Sequence, residues 1–161
     1  MANYKKVIFL FLALMFPVCI FLFLKFFGRN EFAVPPLYND VYPENVSQCG
    51  IAITLPYSIP DSVQSSLSLS KEKMSLIHFG KMSENEEKIV ERIKQEHGDK
   101  FVVRLLPDTL TRIKNCVFFI KAPIDLVLVD SQGAIRGQYE SANREEIDRL
   151  RMELSILFEE Y

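Results

Sequence analysis

The chain is poor in the groups from which most active sites are built. It has three cysteines and two histidines in 161 residues. No two cysteines form C-x-x-C and no H-E-x-x-H occurs, so the usual dithiol and zinc-hydrolase signatures are excluded. No glycine-rich phosphate loop is present either. No motif marks either of the two histidines, His78 and His97, as part of a Ser-His-Asp set. A basic excess is also missing. Lys and Arg total 19 against 21 Asp and Glu, for a net charge of −2, and nothing points to nucleic acid.

What the chain does have is one long apolar run, "VIFLFLALMFPVCIFLFLKFF" at 7–27. From Val7 to Leu24 it carries no charge. A bilayer core about 30 Å thick needs roughly 20 apolar residues in a helix, so this run reads as a transmembrane helix. Pro17 is tolerable inside such a helix, and Lys25 can snorkel to the interface. A cleaved signal would need a shorter core and a small-residue cut site, and an A-x-A-like site is absent. Lipidation at Cys19 is a rival, but Val18 stands where a small residue is expected. Lys5 and Lys6 precede the run, and Lys25 and Arg29 follow it, so the flanking charges nearly balance. The expected orientation is N-terminus inside, with the C-terminal part exported across the inner (plasma) membrane. The implied domains are a tail at 1–6, the transmembrane helix at 7–27, a spacer at 28–56 and a domain at 57–161.

The spacer contains Pro35, Pro36, Pro43 and Pro56. "YSIPDS" at 57–62 reads as an extended arm and "SSLSLSKEK" at 65–73 as a polar loop, so the folded core is expected to start at Met74. "MSLIHFG" reads as a buried strand. Ser83 and Glu86 form a capping box, after which Ile89, Val90 and Ile93 make one apolar stripe and Gly98 ends the helix. "FVVRLL" at 101–106 is a second strand, completing a right-handed βαβ unit. "PDTLTRIKN" at 107–115 holds a turn or two of helix. "IDLVLV" is a third strand, Asp130–Gly133 a turn capped by the Asp130 carboxylate, and "AIRGQY" an antiparallel fourth strand. Asn143 and Glu146 suggest another capping box, opening a helix with Ile147, Leu150, Leu154, Leu157 and Tyr161 on one face. The order β-α-β-(short α)-β-β-α is that of an α/β thioredoxin-like fold.

The C-terminal text "LVLVDSQGAIRGQYESANREEIDRLRMELSILFEEY" resembles the Sco (SenC) family of membrane-anchored, thioredoxin-like copper chaperones of cytochrome oxidase. "IPD" at 59–61 and "KMSENEEKIV" at 81–90 are similar to shorter family segments, and the anchor–spacer–domain order agrees. The resemblance implies a C-x-x-x-C motif after the first strand and a histidine near the third. Here the first strand runs into "GKMSENEE" and the third is preceded by "KAPID". No copper site is therefore carried over, and no cofactor, metal ligand or catalytic residue is assigned. Pro123 matches the proline that such domains place, in the cis form, before the third strand. A trans strand-entry proline is the alternative.

The remaining candidates are few. Cys49 and Cys116 lie outside the apolar run, and in an oxidising compartment they could form a structural disulfide, cycle as a redox pair, or stay unpaired. His78 could serve a metal or a proton transfer, or be an ordinary hydrogen-bonded or surface-facing strand histidine. His97, at a helix C-terminus, is expected to have its charged form favoured by the dipole. The acidic helix start "SENEEKIVE" could attract a basic partner or be a solvated face. Arg136 matches the resemblance and could simply pair with a carboxylate. "NVS" at Asn45 fits a glycosylation acceptor, but so short a pattern arises by chance often enough that no role is assigned to it. The expected function is a non-catalytic accessory or binding module. It would be anchored in the membrane, have a protein partner, and work in respiratory oxidase assembly or envelope thiol and metal handling. The alternative is a thiol–disulfide protein acting through Cys49 and Cys116.

Overall fold

The computed structural model describes residues 2–27, 33–44 and 46–160. Arg29, Asn45 and Tyr161, each named above, lie outside the described residues. The chain divides into two units, 1–32 and 33–161.

The first unit is one helix, α1 (Ala2–Phe27), with Pro17 inside it. Its segment Lys6–Phe23 has a mean hydropathy of 2.6 and is long and apolar enough to cross a membrane.

The second unit contains α2 (Val46–Cys49), α3 (Asp61–Ser66), β1 (Met74–Phe79), α4 (Glu84–His97), β2 (Phe101–Leu106), α5 (Thr111–Cys116), β3 (Leu126–Val129), β4 (Ile135–Tyr139) and α6 (Arg144–Glu160). The four strands form one mixed sheet in the order β2-β1-β3-β4. β1 and β2 are parallel, as a helical crossover requires. β1–β3 and β3–β4 are antiparallel.

Strand alternation sorts the side chains into two cores. Ile77 and Phe79 of β1, with Val127 and Val129 of β3, pack against Tyr57, Ile59, Phe118, Phe119 and Ile120. On the opposite face, Met74 and Leu76 of β1, with Leu126 and Leu128 of β3, meet Ile93 of α4 and Ile147, Leu150, Leu154 and Leu157 of α6. The three leucines of α6 are fully buried, and burying each contributes about 2 kcal/mol. At the α4 start, the Ser83 N–H donates to Glu86 Oε2 at 2.5 Å and the Glu86 N–H to Ser83 Oγ at 3.4 Å, a complete capping box.

A bulge separates the cores in β4. Leu128 pairs with Gly137 but Val129 pairs with Ile135, so Arg136 is the extra residue. Ile135 is thereby turned to the first core and Tyr139 to the second. The Tyr139 ring lies over Gly137, where a Cβ would collide with it. Gly133 has φ +82°, and a Cβ there would strike Gln64.

Three expectations need correction. Residues 33–56 are not a detached spacer. They belong to the same unit as the sheet. The Leu37 N–H donates to the Ile135 carbonyl at 2.7 Å, and the Tyr38 ring meets Phe119 edge-on at 5.5 Å. The folded core starts well before Met74. Tyr57 and Ile59 are buried, and residues read as arm and loop form α3, whose Gln64 donates to the Ile59 carbonyl at 2.6 Å. Six residues are too few for a helical period to be read from sequence. Finally, Asn143 accepts from the Glu145 N–H at 3.0 Å, while Glu146 turns to Arg149, so α6 has no reciprocal capping box.

Candidate functional site

At the end of β1 the chain runs Gly80-Lys81-Met82-Ser83 directly into α4. Gly80 has φ +99°, and its N–H donates to the Leu106 carbonyl at 2.9 Å. This junction therefore offers no thiol. Pro123 precedes β3, the antiparallel neighbour of β1. The Ala122–Pro123 bond is cis, Pro123 is exposed, and Phe79 at the end of β1 donates its N–H to the Asp125 carbonyl at 2.9 Å. A second cis bond, Leu55–Pro56, was not anticipated.

Cys49 and Cys116 are bridged, joining α2 to the end of α5 across 67 positions of sequence. Both are half-buried. Around them Tyr57 donates its hydroxyl to the Val117 carbonyl at 2.9 Å, and the Tyr38, Tyr57 and Phe119 rings pack edge to face. Burial, with Tyr38 nearby, pushes the Tyr57 hydroxyl up to about 12, so it remains a donor. Cys19 is unpaired in α1.

Arg136 is held against the turn before β4. Its Nε donates to Asp130 Oδ2 at 2.8 Å and its Nη1 to the Val34 carbonyl at 2.7 Å. Asp130 Oδ1 accepts from the Gln132 and Ala134 N–H groups at 2.9 and 2.8 Å. This is a structural clasp between residue 34 and the hairpin.

His97 departs from its dipole-based expectation. It packs on Phe158, ring centroids 4.9 Å apart, and burial pushes its pKa below the ordinary value.

His78 fits neither ordinary expectation. It is 2% exposed, and neither ring nitrogen has a hydrogen-bond partner. Its side chain shares the α4/α6 face with Leu76, not the face of the disulfide. There it meets two carboxylates. Nε2 lies 3.6 Å from Asp125 Oδ2, and one ligand atom from each of His78, Glu86 and Asp125 falls within 4.8 Å of the others.

Ser141, just after β4, joins the carboxylates. Its N–H donates to Asp125 Oδ1 at 2.8 Å, and its Oγ lies 2.6 Å from both Asp125 Oδ2 and Glu86 Oε1. A serine hydroxyl has one proton, so it can donate to only one of these oxygens. The other contact brings two acceptors together unless a further proton or a cation is present. Burial pushes the Glu86 carboxyl up, but hydrogen bonds from Ser141 and from the Ser83 backbone and side chain, with His78 nearby, hold it below its ordinary range. Sequence reading missed Glu86, Asp125 and Ser141 because they belong to a capping box, a strand approach and a turn.

No protein-family model matches the chain, and no curated protein matches it.

Proposed function

We propose that this is a single-pass membrane protein whose extracytoplasmic thioredoxin-like domain acts as a non-catalytic docking module. The fold assignment is supported by the strand order β2-β1-β3-β4 and by the parallel pairing of β1 with β2. The anchor is supported by the length and hydropathy of α1. A disulfide suits an oxidising compartment on the outer side of the inner membrane. The resemblance of residues 126–161 to the Sco family supplies the context, oxidase assembly or envelope thiol and metal handling.

The observation that carries the non-catalytic reading is the junction Gly80-Lys81-Met82-Ser83. A thioredoxin-like enzyme needs a nucleophilic thiolate there, at the start of the first helix, where the helix dipole lowers its pKa. The chain places an ordinary capping serine instead. The exposed Pro123 edge is the surface left for a partner.

The second reading, redox action through Cys49 and Cys116, is favoured only by the half-exposure of their bridge. Insulin reduction by the full chain in detergent micelles, with dithiothreitol as the electron source, separates the two. The docking reading expects no acceleration over dithiothreitol alone. Acceleration that disappears in C49A/C116A overturns it.

A further inference from the structure

The buried His78 imidazole and the two half-exposed carboxylates beside it, at the α4 start and the approach to β3, have more polar capacity than the chain satisfies. His78 has two unpartnered nitrogens at 2% exposure. The Ser141 hydroxyl faces two carboxylate oxygens with one proton. With neutral imidazole, the cluster carries up to two negative charges beside apolar residues. Two carboxylates this close to one hydroxyl repel each other unless a proton or a counter-charge sits between them.

We propose that His78, Glu86 and Asp125, with Ser141 beside them, bind one divalent transition-metal ion. Donor atoms around such an ion, at bond lengths of about 2.0–2.2 Å, stand about 3–3.6 Å from one another. His78 Nε2 and Asp125 Oδ2 are already 3.6 Å apart, and the whole set falls within 4.8 Å. Small side-chain rotations close the remainder. A cavity of about 10 Å³ lined by His78, Glu86 and Ser141, and by Ile93, Leu126 and Leu150, has room for a single ion or water. A groove of about 650 Å³ between α4 and α6 reaches Glu86 and Ser141 from outside and gives an entry path.

The donor set selects the ion. One imidazole and two carboxylates suit zinc, manganese or iron(II). With no sulfur donor, copper(I) is disfavoured, and an imidazole is a poor ligand for calcium or magnesium. A divalent ion neutralises both carboxylates, gives one His78 nitrogen a partner and removes the clash at Ser141. It also links β1, the α4 start, the approach to β3 and the turn after β4, so its binding stabilises the folded state. This site is independent of the docking reading and would stand if that reading failed.

The full chain in detergent micelles, stripped with EDTA, is titrated with zinc by calorimetry and with cobalt(II) by visible absorption. The expected result is one equivalent bound, a cobalt spectrum of low coordination number and a higher melting midpoint. Glu86→Gln and Asp125→Asn keep the shape and the accepting oxygens of the cap and turn, so both variants are expected to fold. Each should weaken zinc by more than about tenfold. No saturable binding overturns the proposal. Binding that survives both substitutions also overturns it, by assigning the metal to another surface.

Discussion

Removing the Cys49–Cys116 bridge tests what it is for. The cysteines are 67 positions apart, and closing a loop of that length in the unfolded chain removes about 15 cal/mol/K of entropy. At 25 °C that is about 4 kcal/mol of stability. Loop closure acts on the unfolded ensemble, so the native contacts of residues 33–59 remain available in the variant. These include the Leu37 N–H to Ile135 carbonyl bond and the Ile59 N–H to Gly133 carbonyl bond. C49A/C116A should therefore keep the fold but melt lower. For a unit of this size, each kcal/mol corresponds to about 4 °C, so the midpoint should fall by about 15 °C. Near-ultraviolet circular dichroism of the full chain in micelles reads the aromatic cluster of Tyr38, Tyr57 and Phe119 directly. Dithiothreitol should lower the wild-type midpoint by the same amount and leave the variant unchanged. A fall of less than about 3 °C would refute the loop-closure reasoning and leave the bridge without a structural purpose.

Two further measurements probe other contacts. The Asp130 carboxylate is 3% exposed and Arg136 13%, so Arg136→Leu leaves a buried charge without its partner and should cost about 3 kcal/mol in urea unfolding, whereas a cost under about 1 kcal/mol would mean that the clasp is dispensable. The second concerns pH. The folded pKa of His97 is lowered from its ordinary 6.5, by burial first, with Lys100 and Arg151 lowering it and Glu96 raising it. Between the folded value and about 6.5 the unfolded chain binds the extra proton, so stability should fall as pH drops through that window and be flat above it. His97→Phe keeps the ring packing against Phe158 and should flatten the profile, and an unchanged slope in this variant assigns the pH dependence to other groups.

The fold was legible where local rules act alone. Short apolar runs gave the strands, the Ser83–Glu86 pair gave the start of α4, and "VDSQGA" gave the turn that Asp130 caps. Residues 33–73 were misread because what orders them is tertiary. Tyr38, Tyr57 and Ile59 look like isolated apolar residues among prolines and serines, and only the far strands give them a surface to cover. Arg136 gave no sign that it is a bulge residue, since the shift depends on how β4 pairs with β3. The capping-box glutamate shows the limit most clearly. Its Oε2 holds the Ser83 N–H as the motif demands, but its Oε1 reaches Ser141, 55 positions away.

Parity along β1 decides which chemistries can cooperate. Phe79 points into the core that the Cys49–Cys116 region borders, while His78, one residue earlier, points to the α4/α6 side. Consecutive strand residues face opposite sides of a sheet, so a one-residue difference separates the imidazole from the sulfur atoms by the whole sheet. A copper-type site of two thiolates and His78 is thus excluded for the described residues by strand geometry, whatever the redox state of the bridge. Only a one-residue slip of β1 could bring them together, and that slip would drive Ile77 and Phe79 out of their aromatic core. The same separation makes the two faces independent targets. Bridge variants should leave metal binding untouched, and Glu86→Gln should leave the reduction-dependent melting shift untouched. Cross-effects in either direction would mean that the sheet transmits strain between its faces.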